Sequence, residues 1–208
     1  MFLMETQHNT DSVVIRRLCA DGYQVVDRPR PRSRTDTFIS NHGGVAAAAT
    51  PGMCLTLLDL STEPASCELL PVRVVSKSSP CVVVVIYHTG SLTTVFCSEY
   101  SDVMDHVTTN IEPLYIVGDM NIHLNRADDP WSRQLIDLLA SYVLSLHVLA
   151  PMHDRGRLLD VVGSRDDLPA PSVDVIDFGL TISYSGGQCR RSDHHLFTRR
   201  QSVDHGAS

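Results

Sequence analysis

The chain has 208 residues, of which 43% are hydrophobic, and its formal net charge is −7. This length and hydrophobic content suit one globular domain with a substantial core. The negative charge argues against a protein that holds nucleic acid on a broadly basic surface, but a metal-dependent enzyme needs only a local cluster of carboxylates. No apolar run approaches the roughly 20 residues that a membrane-spanning helix needs.

The six cysteines are scattered, and none forms a Cys-x-x-Cys pair. This favours buried free thiols in a reducing compartment over a disulfide framework or a zinc site. The apolar start Met1-Phe2-Leu3-Met4 is interrupted by Glu5 and lacks a basic residue, which argues against a signal peptide. We therefore expect an intracellular monomer, nuclear or cytoplasmic, with no membrane contact and no disulfide-linked partner.

Strand and helix patterns alternate along the chain. Helices are predicted after three capping segments, Thr10-Asp11-Ser12, Ser91 and Asp128-Asp129-Pro130. Short apolar runs predict strands near 1–5, 23–27, 44–49, 55–60, 67–75, 81–87, 114–119, 159–163, 172–177 and 194–198. Many strands with few helices favour two β-sheets packed face to face and flanked by helices. We expect one domain over residues 1–200 and a tail over 201–208.

Three segments carry acids that could do chemistry. In Tyr115–His123 an apolar strand runs into Gly118, and Asp119 and Asn121 follow two positions apart, a spacing that points both side chains to one side of a strand. Asp160 ends a second apolar run, and Ser192-Asp193-His194-His195 lies near the C-terminus. Taken alone, Asp119 and Asn121 would be a turn motif; the other two segments favour a site.

In this order the motifs resemble the endonuclease/exonuclease/phosphatase superfamily. The closer likeness is to the apurinic-type endonuclease domain of non-LTR (LINE-type) retrotransposons. The resemblance extends from about residue 1 to about residue 197. It is carried by Phe2–Thr6, Asn41–Ala46, Val85–Tyr87, Gly118–Asn121, His153–Gly156, Leu159–Val162 and Ser192–His194.

The resemblance implies a four-layer α/β/β/α sandwich that hydrolyses a DNA phosphodiester with Mg²⁺, or with Mn²⁺ in its place. Such hydrolysis needs a cation beside the phosphoryl oxygens and an activated water. Metal ligation is assigned to Glu5 and Asp193. The catalytic assignments are Tyr87, Asp119, Asn121, Asp160 and His194. Because phosphoryl chemistry acts over a few ångströms, we expect all seven residues to converge at one end of the two sheets.

The segment from Arg28 to Arg34 alternates arginine with proline and is therefore kept extended. Its cations could follow the phosphates of DNA, which makes DNA the expected partner. The other interpretation is a solvated connection between two strands. The residues assigned to DNA contact are Arg28, Arg30, Arg32 and Arg34.

The chain departs from the family pattern in four places. The family's first strand, which ends in an asparagine at the metal, has no counterpart, so we expect unpaired backbone groups beside Glu5, poor folding and weak nicking. Met152 replaces a threonine, and Tyr87-His88-Thr89-Gly90 replaces a tyrosine-arginine-proline turn. Residues 181–191 form an insert that predicts an exposed loop or a loose hairpin, or a retained non-coding stretch, with the His194 strand still docked.

These departures describe a detached, decaying copy of a mobile-element domain. They leave two rivals to a DNA-nicking enzyme. One is an inactive remnant that binds nucleic acid weakly or not at all. The other is a phosphatase of the same superfamily that acts on a small phosphate ester or a lipid headgroup. The phosphatase is disfavoured because three segments resemble retrotransposon sequences, Gly43–Val45, His153–Gly156 and Leu159–Val162.

Overall fold

The structure is a computed structural model, and it describes residues 1–4, 6, 13–30, 43–76, 80–88, 92–122, 124, 128–147, 160–168, 172–176, 179–184 and 194–200. These residues form twelve strands and three helices. The helices are α1 (Val13–Ala20), α2 (Thr94–Val107) and α3 (Pro130–Ser141). The strands are β1 (Phe2–Met4), β2 (Gln24–Arg28), β3 (Val45–Ala49), β4 (Cys54–Leu57), β5 (Glu68–Val75), β6 (Pro80–Tyr87), β7 (Leu114–Asp119), β8 (Leu144–Leu146), β9 (Asp160–Arg165), β10 (Ser172–Ile176), β11 (Gly179–Tyr184) and β12 (His194–Arg200).

The strands form two six-stranded sheets. Sheet I has the order β10-β11-β12-β1-β3-β2, and sheet II has the order β4-β5-β6-β7-β9-β8. Neighbouring strands are antiparallel except for two parallel pairs, β1 with β12 and β6 with β7. The predicted two-sheet α/β sandwich is confirmed. The strands β8 and β11 lie outside every predicted strand, because each is short or interrupted by polar residues.

The core has two layers, and the valines of β6 pack in both. Val83 and Val85 pack between the two sheets, whereas Val82 and Val84 lie under α2 and α3. Alternate residues of a strand point to opposite faces, so a strand buried on both faces reads as continuous valine. Burial of each valine side chain contributes roughly 1.5–3 kcal/mol to the free energy of unfolding. None of the described helices is long and apolar enough to span a membrane.

The helical layers are unequal. Sheet II is covered by α2 and α3, which bury Phe96, Tyr100 and Leu135 against it. On the other side α1 contacts β2, but it buries no residue fully, and Val13 is 69% exposed. Thr93, and not the predicted Ser91, caps α2 by accepting a hydrogen bond from the Phe96 N–H. Asp129 caps α3, with Pro130 in its first turn, as predicted.

Gly118 lets β7 approach β6 closely. The two strands are parallel, with Ile86 opposite Gly118 and Tyr87 opposite Asp119. A Cβ atom at position 118 would lie 1.8 Å from the carbonyl oxygen of Ile86. No side chain fits there without moving one strand, so the glycine sets the spacing of the two strands just before Asp119.

One expectation about the chain needs correction. The backbone beside Glu5 is not left unpaired, because β1 lies inside sheet I, with β3 on one side and β12 on the other. Within the insert, residues 181–184 belong to β11, which pairs antiparallel with β12 in the manner of the predicted hairpin. The strand that carries His194 docks in the sheet, as predicted. Residues 185–191 lie outside the described part of the chain.

We expect Gly118→Ala to lower the free energy of unfolding by about 3 kcal/mol, because the added methyl group must push Ile86 aside. Gly52→Ala is the matched control. Gly52 also has a positive φ, 94°, but a Cβ there meets nothing within 4 Å, so the cost should be about 1 kcal/mol of backbone strain. Urea unfolding of both variants checks the difference, and equal losses would show that the Ile86 contact is unimportant.

Candidate functional site

Four polar residues occupy one row across sheet II. Glu68 of β5 is opposite Tyr87 of β6, Tyr87 is opposite Asp119 of β7, and Asp119 is opposite Asp160 of β9. Tyr87 belongs to the core between the sheets, as do Tyr115 and Val117 of β7. By alternation Asp119 points to the same inter-sheet side. Tyr87 and Asp119 are each only 2% exposed.

This row meets the end of sheet I where β1 finishes and β3 begins. Met4 is opposite Val45, and the Thr6 N–H donates to the Gly44 carbonyl oxygen at 3.2 Å. The Gly44 N–H in turn donates to the Glu68 carboxylate of sheet II. We call this end of the sandwich, defined by Met4, Gly44, Glu68, Tyr87 and Asp119, the site edge.

Asp119 and Asn121 form a tight turn at the end of β7. The Asn121 N–H donates to Asp119 Oδ1 at 2.8 Å, and Asn121 has a φ of 52°. This left-handed conformation is rare outside glycine, and asparagine tolerates it better than most residues. The turn therefore fixes the main chain of Asn121 beside the Asp119 carboxylate. The spacing predicted two side chains on one side of a strand, whereas β7 ends at Asp119 and Asn121 lies in the turn that follows.

His88 joins that turn to the end of β6. Its N–H donates to the Asp119 carbonyl oxygen at 2.9 Å, and its own carbonyl oxygen accepts from Asn121 Nδ2 at 2.6 Å. The imidazole Nδ1 lies 3.1 Å from the Met120 carbonyl oxygen. Burial lowers the pKa of His88, and the hydrogen bond to Met120 opposes that shift in part. His88 therefore adds no positive charge at neutral pH.

Glu68 fastens the two sheets together at the site edge. Its Oε1 lies 2.6 Å from Nε of Arg30, and its Oε2 accepts from the Gly44 N–H. A Cβ at Gly43 would meet the ends of the Glu68 and Arg30 side chains, so a larger residue there would displace this ion pair. The carboxylate is 14% exposed, so its charge is largely desolvated and depends on these partners.

The arginines assigned to DNA are used within the protein where the structure describes them. Arg28 donates to the Leu69 carbonyl oxygen at 3.1 Å and pairs with Glu63 at 3.1 Å. Arg30 pairs with Glu68. Both side chains therefore stabilise the start of β5. Arg32 and Arg34 lie outside the described residues.

His194 is not brought to the site edge, which corrects the predicted convergence. In the parallel pair of β1 and β12, Met4 is opposite Arg200, and His194 begins β12 six residues earlier. At about 3.3 Å per residue, position 194 is roughly 20 Å from the level of Met4 along the strand. The parallel register causes this, since only an antiparallel β12 would begin at the end where β1 finishes. Glu5 and Asp193 lie outside the described residues.

Among the described residues no group of three or more His, Cys, Asp and Glu side chains could hold a metal ion. Their five cysteines are free thiols. Three of these are partly buried, and burial raises the pKa of Cys67 to about 12 and that of Cys81 to about 11. Cys19 and Cys54 are exposed, so the expectation of buried thiols fails for them.

The sequence prediction assigned no role in the site to Glu68 or His88. It noted His88 only as part of the segment that replaces a tyrosine-arginine-proline turn. The available signal was a polar residue directly after a buried strand. Glu68 could not be found in this way, because its importance comes from the pairing of β5 with β6 and from the opposing sheet.

Solved structures share the fold of this chain, the two-sheet α/β sandwich that the resemblance to the endonuclease/exonuclease/phosphatase superfamily implies. Neither a protein-family model nor a curated protein matches the sequence. Solved structures do match. The human Nocturnin catalytic domain with bound sulfate is 16% identical, with a TM-score of 0.58 over 88% of this chain and 72% of that one.

The endonuclease domain of TRAS1, a telomere-specific non-LTR retrotransposon, is 14% identical, with a TM-score of 0.56 over 83% of this chain and 90% of that one. D. rerio TDP2 complexed with a single-strand DNA product is 10% identical, with a TM-score of 0.50 over 83% of this chain and 74% of that one. At these identities the likeness establishes the fold but not the activity, which must be argued from the residues of the site.

We expect Glu68→Gln to lower the free energy of unfolding by about 1–3 kcal/mol, because Arg30 loses a charged partner at a largely buried position. The matched control is Asp167→Asn, which breaks the ion pair with Arg165. Asp167 is 57% exposed, so its pair should contribute less than about 1 kcal/mol. Chemical denaturation of both variants tests this, and similar losses would contradict a bracing role for Glu68.

A second expectation concerns pH. Because the folded pKa of His88 lies below its usual 6.5, the unfolded chain binds more protons between those two values. The stability contributed by neutral His88 is therefore complete above pH 6.5 and decreases as the pH falls through the folded pKa. In His88→Asn this group no longer titrates. Urea unfolding at about pH 8, 6.5 and 5 should show the gap between wild type and variant shrinking only in acid. A gap that is constant over this range would contradict the assignment.

Proposed function

We propose that this chain is a metal-dependent phosphodiesterase whose ancestral reaction is the nicking of DNA by a retrotransposon endonuclease, and that it acts inside the cell. The observation that carries the proposal is the row of Tyr87, Asp119 and Asp160 on adjacent strands, with Asn121 held beside Asp119. Sheet pairing brings together three residues that are distant in the sequence. They meet at the edge where strands end and a substrate can approach.

The donor set fits a hard divalent cation such as Mg²⁺, which takes one or two carboxylates and several waters. Asp119 supplies a buried carboxylate, and a cation nearby would stabilise its charge. Glu5 is the proposed ligand, and its chain neighbours Met4 and Thr6 lie at the site edge. The assignment of Asp193 depends on the same strand as His194. When bound, the cation would neutralise charge on the phosphoryl oxygens and lower the pKa of a bound water.

The chain's own residues would orient the reactants. Asp119 can accept a proton or a hydrogen bond from the attacking water, with its Oδ1 already aligned by the Asn121 N–H. Asn121 would hold the phosphate beside it. Tyr87 is opposite Asp119 across the strand pair, and its hydroxyl would donate to a phosphate oxygen. Asp160 occupies the next position of the row, where the bound cation would offset the charge of a second carboxylate.

Two structural neighbours favour DNA as the substrate. TRAS1 is described as a retrotransposon endonuclease, and one TDP2 structure holds a single-strand DNA product. With a net charge of −7, this chain cannot attract DNA by its overall field. Contact would therefore be local, through the cation and through Arg32 and Arg34, since Arg28 and Arg30 are engaged with Glu63, Leu69 and Glu68.

One observation favours a second candidate, an inactive remnant that binds nucleic acid weakly. His194, the proposed partner of the developing phosphate charge, begins β12 at the end of sheet I opposite to Met4. Without the His194 imidazole at the site edge, Tyr87, Asp119 and Asn121 can hold a phosphate but have less to stabilise its transition state.

The two candidates differ in a nicking assay on supercoiled plasmid. We expect nicking that requires Mg²⁺ or Mn²⁺, stops with EDTA, and falls by at least about 100-fold in Asp119→Asn, because the isosteric amide keeps the turn but loses the charge. Asp102→Asn, which removes one charge from the exposed face of α2, is the matched control and should nick like the wild type.

His194→Ala belongs in the same series. Unchanged nicking in that variant would agree with the position of β12, and a loss as large as that of Asp119→Asn would contradict it. Binding of an oligonucleotide without nicking at any metal concentration would establish the remnant and refute the phosphodiesterase.

A further inference from the structure

Three hydrogen bonds tie His88 to the turn that follows β7. Two use the His88 main chain, with the Asp119 carbonyl and the Asn121 amide as partners, at 2.9 and 2.6 Å. The third joins Nδ1 to the Met120 carbonyl oxygen at 3.1 Å. A carbonyl oxygen only accepts, so Nδ1 must carry the proton. The main chain of any residue at position 88 could make the first two bonds. The third requires the imidazole, because Nδ1 is its donor.

The imidazole ring is held in place by packing. Its centroid lies 4.5 Å from that of Phe96, tilted by 52°, and Phe96 stacks on Tyr100 at 5.7 Å. His88 is 3% exposed, and Phe96 and Tyr100 are fully buried in α2. A ring packed in this way cannot rotate away from Met120 without disturbing the core. The donor is thus preorganised by the layer of helices behind sheet II.

The turn needs such support. Asn121 has a φ of 52°, a left-handed conformation that most L-residues avoid and that asparagine tolerates better than most. Met120, whose carbonyl oxygen accepts from the imidazole, lies between Asp119 and Asn121. Its side chain is fully buried. Fixing the Met120 carbonyl sets the direction in which the chain leaves β7, and hence where Asn121 projects.

We propose that His88 is a positioning residue for Asp119 and Asn121, acting through the bond from Nδ1 to the Met120 carbonyl. The inference rests on the proposed function, because it gives His88 a part in the same phosphodiesterase site. His88 touches neither phosphate nor water in this role. It acts by holding the carboxylate and the amide in the geometry that the reaction uses.

Two variants separate the donor from the ring. His88→Phe keeps an aromatic ring against Phe96 but removes the donor. His88→Asn gives up the ring but retains an N–H at a similar reach from the backbone. If the donor positions the turn, kcat for nicking should fall about 10–100-fold in His88→Phe with little change in KM. It should recover to within a few-fold of wild type in His88→Asn.

Tyr142→Phe is the control for lost stability. It removes the bonds from the Tyr142 hydroxyl to the Ser101 carbonyl and to Asp105, which lie on α2 outside the site edge. If Tyr142→Phe lowers kcat as much as His88→Phe at equal loss of unfolding free energy, His88 is merely structural and the proposal is overturned. Wild-type kcat in His88→Phe would overturn it as well.

Amide exchange does not depend on nicking, so it tests the role of His88 separately from the phosphodiesterase proposal. Amide hydrogen exchange measured by NMR should be faster at Asn121 in His88→Phe than in wild type and in His88→Asn, with exchange in β5 unchanged. If the wild type fails to nick, the phosphodiesterase proposal fails, and exchange at Asn121 still decides whether the imidazole holds the turn. Equal exchange in all three proteins would refute the role of His88.

Discussion

The site depends on the parallel pairing of β6 with β7. Parallel neighbours finish at the same edge of a sheet, so Tyr87 and Asp119 arrive at one level although the whole of α2 separates them in the chain. Gly118 permits the close approach, because a side chain there would collide with the Ile86 carbonyl. The helices α2 and α3 then press on the outer face and keep the two strands in register.

Charge at the site edge is organised by ion pairs that cross between the sheets. Glu68 draws Arg30 and the Gly44 N–H toward sheet II, and Arg28 reaches Leu69 and Glu63. These contacts neutralise arginines that the sequence offers for DNA. They stabilise the edge on which Asp119 lies, at the expense of basic surface. In a chain with a net charge of −7, the proposed contact with nucleic acid would depend on local charges and not on the overall field.

The two sheets contribute unequally to the proposed chemistry. Sheet II supplies Tyr87, His88, Asp119 and Asn121, which are joined by strand pairing and by hydrogen bonds of 2.6–3.1 Å. Sheet I brings Met4 and Gly44 to the same edge, but its strand β12 begins with His194 at the other end. A site built largely on one sheet is compatible with binding a phosphate. The imidazole of His88 contacts the turn after β7 from the side of α2.

The alternation of apolar residues and the short-range spacing of polar ones were enough to predict the fold class and nearly all strands. They also marked Tyr87 as the end of a buried strand and Asp119 with Asn121 as a pair. Long-range contacts could not be predicted in this way: Glu68 stabilises the site edge, His88 faces Met120, and His194 begins β12 far from Met4. Strand register and sheet-to-sheet contact join residues far apart in the chain, and no local pattern encodes the partner of a strand or its direction.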